Sequence, residues 1–365
     1  MHINYFESLK YKKSVVRFLV NTNLRKISKN ITINNTLPSP KQFNYRNHIN
    51  VPVRYINNKN MIGLFYRGTN NFLPVEVCLV EERFLSTIAK DILLLMDQLN
   101  IKGYNPKTNQ GSIANLSIRS NLENEIQLTF VLKKKTNLTK LIKQLTLKHK
   151  NVVSIYENYC PTFKTNRDYL DGKLTHLYGK EELIMRLDNF QFIITPFAFF
   201  QLNTLQAINL YNMIIEKADL KPTDLVLDAY SGVGTIATFI SPHVKKVVAI
   251  ESVKDAVKAI EKSNQLNNIK NIKAITGDVL KVTDYLKQQF DVMIFDPPRT
   301  GLGKTIVNYI IKNAPKKVIY VSCNPETLVK DLNLLSEKYN ILSIDPIDMF
   351  PQTSQIETLT ILTLK

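Results

Sequence analysis

The strongest constraint on the fold is a regular alternation of short apolar segments with helical segments, from residue 225 to the C-terminus. The predicted strands are 225–227, 247–250, 272–275, 291–295, 317–321, 341–347 and 358–364. The helices predicted between them are 233–239, 254–267, 279–290, 304–313 and 327–338. Such alternation is typical of a doubly wound α/β domain with a parallel sheet. Open sheets of this kind hold ligands at the carboxyl ends of their strands, so site residues are expected directly after the strands.

The N-terminal half lacks this alternation and predicts a smaller α+β domain. Helical periodicity occurs in residues 1–30, 84–99 and 138–148, and strand-like segments occur in 44–80, 114–119, 126–133 and 152–156. Turn-forming residues follow, including Thr165-Asn166-Arg167-Asp168 and Asp171-Gly172, and they indicate a connector. We therefore predict an α+β domain at 1–160, a connector at 161–190 and the α/β domain at 191–365.

The charge balance favours a polyanionic partner. Lysine and arginine total 48 against 31 acidic residues, giving a net charge of +17. Each phosphate that a cation neutralises releases counterions and adds to affinity, so RNA binding by the lysine-rich 1–160 domain is expected. A lysine excess produced by an AT-rich genome is the alternative explanation. No apolar segment approaches the length that crosses a membrane, and no membrane partner is expected.

The three cysteines, Cys78, Cys160 and Cys323, are widely separated and form no C-x-x-C pair. This spacing favours neither a disulfide framework nor a zinc ribbon, and the five histidines show no paired-ligand spacing. No metal site is therefore expected. A chain with unpaired cysteines and no apolar signal segment fits the cytoplasm, where thiols stay reduced.

A glycine-containing turn after the first strand of the α/β domain predicts a cofactor site. It reads Asp228-Ala229-Tyr230-Ser231-Gly232-Val233-Gly234 and lacks the third glycine of the dinucleotide-binding pattern. Glu251 and Asp278 end the second and third strands. Carboxylates at successive strand ends suit the cationic sulfonium of S-adenosylmethionine better than a pyrophosphate, which they would repel. S-adenosylmethionine is therefore favoured, with NAD or a turn that binds no cofactor as the alternatives.

Two further strand ends carry residues suited to chemistry on a nucleic-acid base. The fourth strand ends in Asp296-Pro297-Pro298-Arg299. D-P-P turns of nucleic-acid methyltransferases that act on exocyclic amines usually continue with an aromatic residue, so Arg299 argues against amine methylation. Cys323 follows the apolar segment Val318-Ile319-Tyr320-Val321 and precedes Asn324-Pro325, which places its thiol at the ligand-binding edge. An inert buried cysteine is the alternative.

Three motifs resemble those of a known enzyme family. They are DPPRTGL at 296–302, SCNPETL at 322–328 and DMFPQTSQIE at 348–357, and the match continues through PFAFFQLN at 196–203 and Tyr45-Arg46. In this combination the chain resembles the RNA uracil-5 methyltransferases of the TrmA/RumA type over roughly its whole length. The resemblance implies a C-terminal doubly wound, Rossmann-like, S-adenosylmethionine-dependent methyltransferase domain and a smaller N-terminal α+β domain that binds RNA.

The resemblance also implies a role for each residue of the predicted active site. Cys323 corresponds to the nucleophile that adds to carbon 6 of uracil, and Glu357 to the base that removes the carbon-5 proton. Asp296 corresponds to the residue that holds the uracil edge, and Arg299 supports Asp296 or a phosphate. A strand cap for Glu357 and a structural ion pair for Arg299 are the alternatives. The positions implied around the methyl donor are Gln201, Asp228, Tyr230, Gly232, Glu251, Asp278 and Asp296, where Gln201 has the alternative of only ordering its turn.

Three features depart from the family pattern. Gln355 stands where the family usually has a histidine close to the base. Members of the ribosomal-RNA branch carry an N-terminal β-barrel and an iron–sulfur cluster bound by four cysteines, whereas Cys78 alone matches a ligand position here. One ligand cannot hold a cluster, so no iron–sulfur cluster is expected. The chain begins at Met1-His2-Ile3-Asn4, apparently after those parts, and we expect an N-terminally shortened member or a misplaced start.

The resulting functional hypothesis is methylation of carbon 5 of a uridine in structured RNA. 23S rRNA is favoured over tRNA because DMFPQT and Cys78 resemble the ribosomal branch, although the missing barrel and cluster resemble the tRNA branch. The alternative is an RNA-binding homologue whose catalysis is impaired by the missing N-terminal region. No obligate protein partner is expected.

Overall fold

The computed structural model describes residues 4–66, 68–162, 172–281 and 288–365. The chain forms two compact units: Met1–Gln42 with Leu187–Ile193 and Ala198–Lys365, and Phe43–Arg186 with Ile194–Phe197. We call them the catalytic unit and the central unit. The turn predicted at 165–168 and 171, and residues 282–287 of the predicted helix 279–290, lie outside the described residues.

The strands in chain order are β1 (Thr32–Ile33), β2 (His48–Ile56), β3 (Lys59–Phe65), β4 (Phe72–Pro74), β5 (Ile113–Ser120), β6 (Ile126–Leu132), β7 (Val152–Tyr159), β8 (Lys173–Gly179), β9 (Leu183–Leu187), β10 (Phe190–Ile194), β11 (Leu225–Ala229), β12 (Lys246–Glu251), β13 (Ile272–Thr276), β14 (Val292–Phe295), β15 (Lys317–Ser322), β16 (Tyr339–Ile347) and β17 (Glu357–Leu364). The helices are α1 (Tyr5–Asn23), α2 (Arg83–Gln98), α3 (Thr139–Lys148), α4 (Thr204–Ala218), α5 (Thr235–Ile240), α6 (Lys254–Leu266), α7 (Gly303–Asn313) and α8 (Pro325–Leu335).

The catalytic unit is built on an eight-stranded sheet with the order β1-β16-β17-β15-β14-β11-β12-β13. The pairs among β11 to β15 are parallel, which confirms the predicted α/β class. β17 is antiparallel to both β15 and β16. The reason is its connection, because residues 348–356 contain no crossover helix and return the chain directly beside β16.

Apolar segments at the centre of this sheet are buried on both faces, as expected for parallel strands covered by helices. Val318, Ile319, Tyr320 and Val321 of β15 are fully buried. The strand ends with Ser322 at the edge of the sheet, so the next residue, Cys323, emerges from a rigid element.

Helix α1 belongs to the catalytic unit, which differs from the predicted domain at 1–160. Val16 and Val20 pack in the same apolar cluster as residues of β15 and α8. Lys12 and Asp348 form an ion pair at 2.5 Å with both side chains fully buried. The amphipathic pattern of α1 predicted a helix with one apolar face, but periodicity does not specify which sheet that face covers.

The central unit contains a seven-stranded sheet with the order β4-β3-β2-β5-β6-β7-β8. Helices α2 and α3 cover one face through a cluster that includes Ile88, Ile92, Leu141 and Leu145. β6 and β7 are parallel because α3 connects them, whereas the neighbouring pairs are antiparallel.

The predicted connector at 161–190 is wrong for part of its length. β8 pairs with β7, and β9 pairs with β10 in a separate two-stranded sheet. The cause is the polar edge character of β8, in which Lys173, Thr175 and Tyr178 are exposed, so its sequence lacks the apolar content of a central strand.

In the part of the chain that the structure describes, no helix combines the length and the apolar character needed to cross a membrane.

Candidate active site

A cavity of about 490 Å³ lies in the catalytic unit where β11, β14 and β15 end and β17 begins. This is the edge at which open α/β sheets hold ligands. The lining includes predicted site residues and additional neighbours: Phe199, Phe200, Gln201, Tyr230, Ser231, Gly232, Val233, Thr235, Ile236, Asp296, Pro297, Pro298, Arg299, Cys323, Phe350, Gln355, Ile356 and Glu357.

Cys323 is half-buried directly after β15. Burial first, and then the charges of Glu357 and Asp296, raise the pKa of its thiol to about 11, against an opposing effect of Arg299 through its charge and a hydrogen bond. The free thiol is therefore protonated at neutral pH. Of the surrounding groups, Arg299 is the one that favours the thiolate.

Two carboxyl groups face the same cavity from neighbouring strand ends. Asp296 follows β14, where Pro297 and Pro298 end the strand, and burial raises the pKa of its carboxyl to about 7. Glu357 opens β17 and is 4% exposed. Burial first, and then the charge of Asp296, hold the pKa of Glu357 well above its usual range, against an opposing effect of Arg299. The two acids therefore influence each other's protonation.

Arg299 ties the turn after β14 to the turn after β15. Its carbonyl oxygen accepts hydrogen bonds from Asn324 Nδ2 at 3.0 Å and from Thr327 Oγ1 at 3.3 Å. Asn324 also caps α8, accepting from the backbone N–H of Glu326. These bonds anchor the backbone of Arg299, and its exposed side chain reaches Cys323 through a hydrogen bond.

The glycine-containing turn between β11 and α5 forms a second wall. Tyr230 has φ 63°, a left-handed conformation that is rare for a bulky residue, and Ser231 N donates to the carbonyl of Ile250 at 3.0 Å. Gly232 has φ 55°, and a Cβ placed there would meet no atom within 4 Å. The turn thus leaves open space for a ligand beside its backbone.

Three predicted cofactor residues do not line the cavity. Glu251 Oε2 accepts from Gly232 N at 3.0 Å, so its carboxylate holds the turn. Asp278 is exposed and caps the next segment by accepting from Leu280 N at 2.8 Å. Asp228 is fully buried beneath the turn, and its Oδ2 accepts from Ala237 N at 3.1 Å.

The Oδ1 atom of Asp228 is buried without a hydrogen-bond partner. Burial and the charges of Asp296 and Glu251 raise the pKa of Asp228 to about 8. The hydrogen bond from Ala237 N acts in the opposite direction. A cationic ligand at the turn would relieve this concentration of carboxyl groups. The acidic surroundings therefore fit a sulfonium and disfavour an added anion.

Gln201 lies in the cavity wall just before α4 and is 8% exposed. Asn203, two residues further on, caps α4. Its Nδ2 donates to Met349 O at 3.1 Å and to Ser39 Oγ at 3.0 Å. These bonds join the PFAFFQLN and DMFPQT segments. Both motifs therefore contribute to one wall.

The wall that contains Phe350 is also fixed from α1. Lys12 Nζ donates to Asp348 Oδ1 at 2.5 Å and to the carbonyl oxygen of Phe350 at 3.3 Å. Tyr5 also bonds the carboxylate of Asp348, and its hydroxyl oxygen accepts from Ser39 N at 2.9 Å. The N-terminal helix thus supports a residue that lines the cavity.

The sequence reasoning missed aromatic lining residues that lie inside motifs it had identified. Phe199 is 66% exposed beside the cavity, and Phe350 is half-buried in its wall. The signal in the sequence was the cluster of phenylalanines at 197, 199 and 200 in PFAFFQLN, but the exposure that distinguishes Phe199 is visible only in the structure.

The described residues contain no group of three or more histidine, cysteine or acidic side chains that could hold a metal ion. Cys78, Cys160 and Cys323 form no disulfide with one another. Cys78 is half-buried in the central unit, where burial raises the pKa of its thiol.

Comparison with known proteins gives consistent results. The profile of the family described as tRNA (Uracil-5-)-methyltransferase matches residues 82–365. An uncharacterized RNA methyltransferase of Fusobacterium nucleatum is 35% identical, with 97% of this chain and 77% of that protein covered. Another, from Lactobacillus johnsonii, is 34% identical, with 99% and 80% covered.

Among solved structures, a Pyrococcus abyssi tRNA (uracil-54, C5)-methyltransferase in complex with S-adenosyl-L-homocysteine is similar. It shares 26% identity and a TM-score of 0.81, with 99% of this chain and 84% of that chain covered. The similarity extends over both units and confirms the predicted family, fold class and methyl donor. The chain belongs to the tRNA (uracil-5-)-methyltransferase family and is an S-adenosylmethionine-dependent RNA methyltransferase.

Proposed function

We propose that this protein methylates carbon 5 of a uridine in 23S rRNA through a covalent adduct between Cys323 and carbon 6 of the base. The observation that carries the proposal is one cavity that unites a half-buried thiol, two carboxyl groups and a guanidinium at adjoining strand ends. Carbon 5 of uracil is a weak nucleophile, so a nucleophile on the enzyme is required to activate it.

The first step is addition of the Cys323 thiolate to carbon 6, which forms an S–C6 bond and moves the carbon 5–carbon 6 π electrons into an enolate at carbon 4. Arg299 lowers the pKa of the thiol and therefore increases the thiolate fraction. We assign Asp296 the role of holding the edge of the uracil. S-adenosylmethionine, when bound, would supply the methyl group to carbon 5 of the enolate, and S-adenosylhomocysteine would leave as its S–CH3 bond breaks.

The second step is removal of the proton from carbon 5 by the Glu357 carboxylate. The electrons of the C5–H bond reform the double bond, and the S–C6 bond breaks to release the thiolate. Glu357 must be ionised for this role, while burial and Asp296 favour its neutral form. The charge of Arg299 acts in the opposite direction and favours the carboxylate.

The methyl donor fits the wall formed by the glycine-containing turn. Gly232 leaves open space there, Glu251 fixes its backbone, and Gln201, Tyr230 and Asp296 line the cavity beside it. Asp228 lies beneath the turn, and Asp278 follows the third strand. These residues are our proposed donor site.

Gln355 lines the cavity two residues before Glu357, where the family pattern has a histidine. An amide side chain cannot accept a proton at neutral pH. We therefore assign the removal of the carbon-5 proton to Glu357 without help from position 355.

We place the reaction in the cytoplasm, where the thiol of Cys323 stays reduced.

A tRNA substrate is the second candidate. The Pyrococcus abyssi protein is a tRNA (uracil-54, C5)-methyltransferase, whereas DMFPQT and Cys78 favour the ribosomal branch. Incubation with labelled S-adenosylmethionine and either unmodified 23S rRNA or unmodified tRNA, followed by digestion to nucleosides, decides between them. Label in 5-methyluridine from tRNA alone would replace the rRNA assignment, and no labelled 5-methyluridine from either RNA would end the proposal.

The covalent step has its own test. RNA that contains 5-fluorouridine should form a stable adduct in the presence of S-adenosylmethionine, because fluorine cannot leave carbon 5 as a proton does. Cys323→Ala should abolish the adduct, and Cys160→Ala, which removes a buried thiol of the central unit, should leave it intact. An adduct that persists in Cys323→Ala would show that the nucleophile is another residue.

A further inference from the structure

One end of the seven-stranded sheet carries three tyrosines, each paired with a lysine. The ammonium of Lys102 lies 4.8 Å from the ring centre of Tyr55, that of Lys133 lies 5.8 Å from Tyr104, and that of Lys135 lies 5.6 Å from Tyr159. We call these six residues the lysine–tyrosine rim. All six belong to the central unit, and none lines the cavity described above.

Strand pairing places the rim residues at the same end of the sheet. The turn that joins β2 to β3 follows Tyr55, where Ile56 pairs with Lys59. The start of β5 pairs with the end of β6, and Leu132 at that end pairs with Tyr159 of β7. Tyr159 in turn pairs with Lys173, which opens β8. The six rim residues therefore lie at the ends of four neighbouring strands, β2, β5, β6 and β7, a span of about 14 Å at the usual strand spacing.

The chain segments that build the rim contain basic residues and no acidic ones. These segments (residues 55–60, 100–112, 133–138, 158–162 and 172–174) contain no aspartate or glutamate, and they contain seven lysines: Lys102, Lys133 and Lys135 of the rim, with Lys59, Lys107, Lys134 and Lys173. Lys102 and Lys135 are exposed, and the three tyrosines are half-buried with part of each ring accessible. Asp97 is an acidic neighbour of these segments, since its Oδ1 accepts from Asn60 N at 3.1 Å, and the seven lysines leave a net positive charge beside it.

We propose that the lysine–tyrosine rim is a docking surface for a single-stranded part of the RNA substrate, where tyrosine rings stack on bases and neighbouring lysines contact phosphates. Alternating aromatic and cationic side chains are what sequence-tolerant binding of single-stranded nucleic acid requires. An acidic protein would use the lysines but would gain nothing from the three rings. The inference rests on the proposed RNA substrate and adds a surface to it outside the cavity.

The lysine arm of the test removes charge without removing an observed structural bond. Lys133 and Lys134 donate to the carbonyl oxygens of Pro161 and Asn109, so they are left intact. The variant is Lys102→Gln, Lys135→Gln and Lys173→Gln, and binding of a labelled oligouridine is measured by fluorescence anisotropy over a salt series. We expect about a tenfold weaker Kd at low salt, and the slope of log K against log salt to fall by about 2.

The matched control is Lys90→Gln, Lys143→Gln and Lys150→Gln, which changes the charge equally. These three lysines are exposed residues of the same unit on α2, on α3 and after α3. Their removal should lower the salt slope by less than half as much. Equal slopes in the two triple variants would reduce the rim to a share of the general positive charge and overturn the proposal.

The tyrosine arm tests for RNA rather than for any polyanion. Tyr55→Leu with Tyr104→Leu should weaken oligouridine binding on the order of tenfold and leave the salt slope unchanged, while Tyr55→Phe with Tyr104→Phe should bind as the wild type does. Polyglutamate binding should not respond to either pair. A leucine pair that binds oligouridine normally, or that loses polyglutamate equally, would contradict RNA stacking on the rim.

Binding and catalysis are measured separately, so the two proposals can fail separately. Cys323→Ala should form no adduct and keep the full salt slope, whereas the Lys102/Lys135/Lys173 variant should reach the wild-type rate of adduct formation at saturating RNA. If the wild type produces no 5-methyluridine, the proposed reaction fails while the binding series still decides the fate of the rim.

Discussion

The cavity of the catalytic unit and the lysine–tyrosine rim of the central unit use charge in opposite ways. In the cavity, Asp296 and Glu357 face a single guanidinium, that of Arg299, and burial shifts the pKa values of the acids and of Cys323 upward. On the rim, lysines lie beside tyrosine rings, and Lys102 and Lys135 are exposed to water.

The difference follows from the cost of burying charge. A buried ionisable group changes its protonation in response to each neighbour, which suits a site where protons move. An exposed lysine keeps its charge and acts over distances set by salt, which suits affinity for a polyanion. Substitutions in the catalytic unit should therefore change chemistry or stability steeply, whereas single rim substitutions should have small effects.

The largest effect on catalysis short of removing the thiol is expected from Glu357→Gln. Loss of the Glu357 carboxylate as the general base should lower turnover by about 10²- to 10⁴-fold, while Cys323 can still add to carbon 6 of the uracil. An adduct with ordinary, unfluorinated RNA should then accumulate and be visible as a shifted band on a denaturing gel. Lys102→Gln, the matched single change on the rim, should leave turnover at saturating RNA unchanged. Turnover near the wild-type value in Glu357→Gln would transfer the role of the base to another group.

The largest effect on stability is expected from Lys12→Met. Asp348 would remain as a buried, unpaired carboxylate, which costs about 3–5 kcal/mol of unfolding free energy in denaturant titrations. Lys10→Met is the control on the same helix, because its ion pair with Glu7 is exposed and contributes about 0–1 kcal/mol.

Adding Asp348→Leu to Lys12→Met should recover part of the loss, since no charge is then left in the core. If Lys12→Met and Lys10→Met had equal unfolding free energies, the buried ion pair between Lys12 and Asp348 would not be what holds α1 to the catalytic unit.

The pH dependence of stability should have opposite signs for two carboxyl groups, Asp228 of the catalytic unit and Asp91 of the central unit. The pKa of Asp228 is about 8 in the folded protein and 3.8 when unperturbed, so between these values the folded state holds a proton that the unfolded state has lost. Stability should therefore fall as pH rises through this window, by up to about 1.4 kcal/mol per pH unit for this group. Asp228→Asn should flatten that decline in thermal melts between pH 5 and about 8.

Asp91 of the central unit supplies the contrast. Burial raises the pKa of its carboxyl, but hydrogen bonds and charge from Lys148 and His149 outweigh burial and lower the pKa overall. The stability that ionised Asp91 contributes should be fully present above the pKa of the unfolded state. It should be lost as pH falls through the lower pKa of the folded state. Asp91→Asn should thus destabilise the protein at neutral pH. If the stability of Asp228→Asn fell with rising pH as steeply as that of the wild type, the raised pKa of Asp228 would be contradicted.

The smallest effect is expected from Arg299→Gln on the reactivity of the free thiol. Arg299 lowers the pKa of Cys323, so its loss should slow iodoacetamide labelling of Cys323 by about three- to tenfold at pH 8. Labelling should also rise about tenfold per pH unit below pH 11. Site-specific mass spectrometry can follow Cys78 as an internal reference, and Arg186→Gln is the control. An unchanged Cys323 rate would show that Arg299 does not favour the thiolate.

Much of the catalytic unit could be predicted from its residues. The predicted strand 317–321 corresponds to Lys317–Ser322, and the predicted helix 254–267 corresponds to Lys254–Leu266. Buried parallel strands are continuous apolar segments, so their position in the sequence is easily recognised. The edge strand β8 was missed because five of its seven residues are exposed, so it lacks the continuous apolar segment of a buried strand.

The sequence by itself determined the family, the alternating α/β unit and the motifs that place Cys323, Asp296 and Glu357 at strand ends, because those features are local and periodic. Only the tertiary structure decided that α1 covers the catalytic sheet, that Lys12 supports Asp348, and that tyrosines and lysines from five separate segments meet at one sheet end. Those contacts join residues far apart in the chain. They depend on which buried surfaces and charges find each other, and no local pattern encodes that choice.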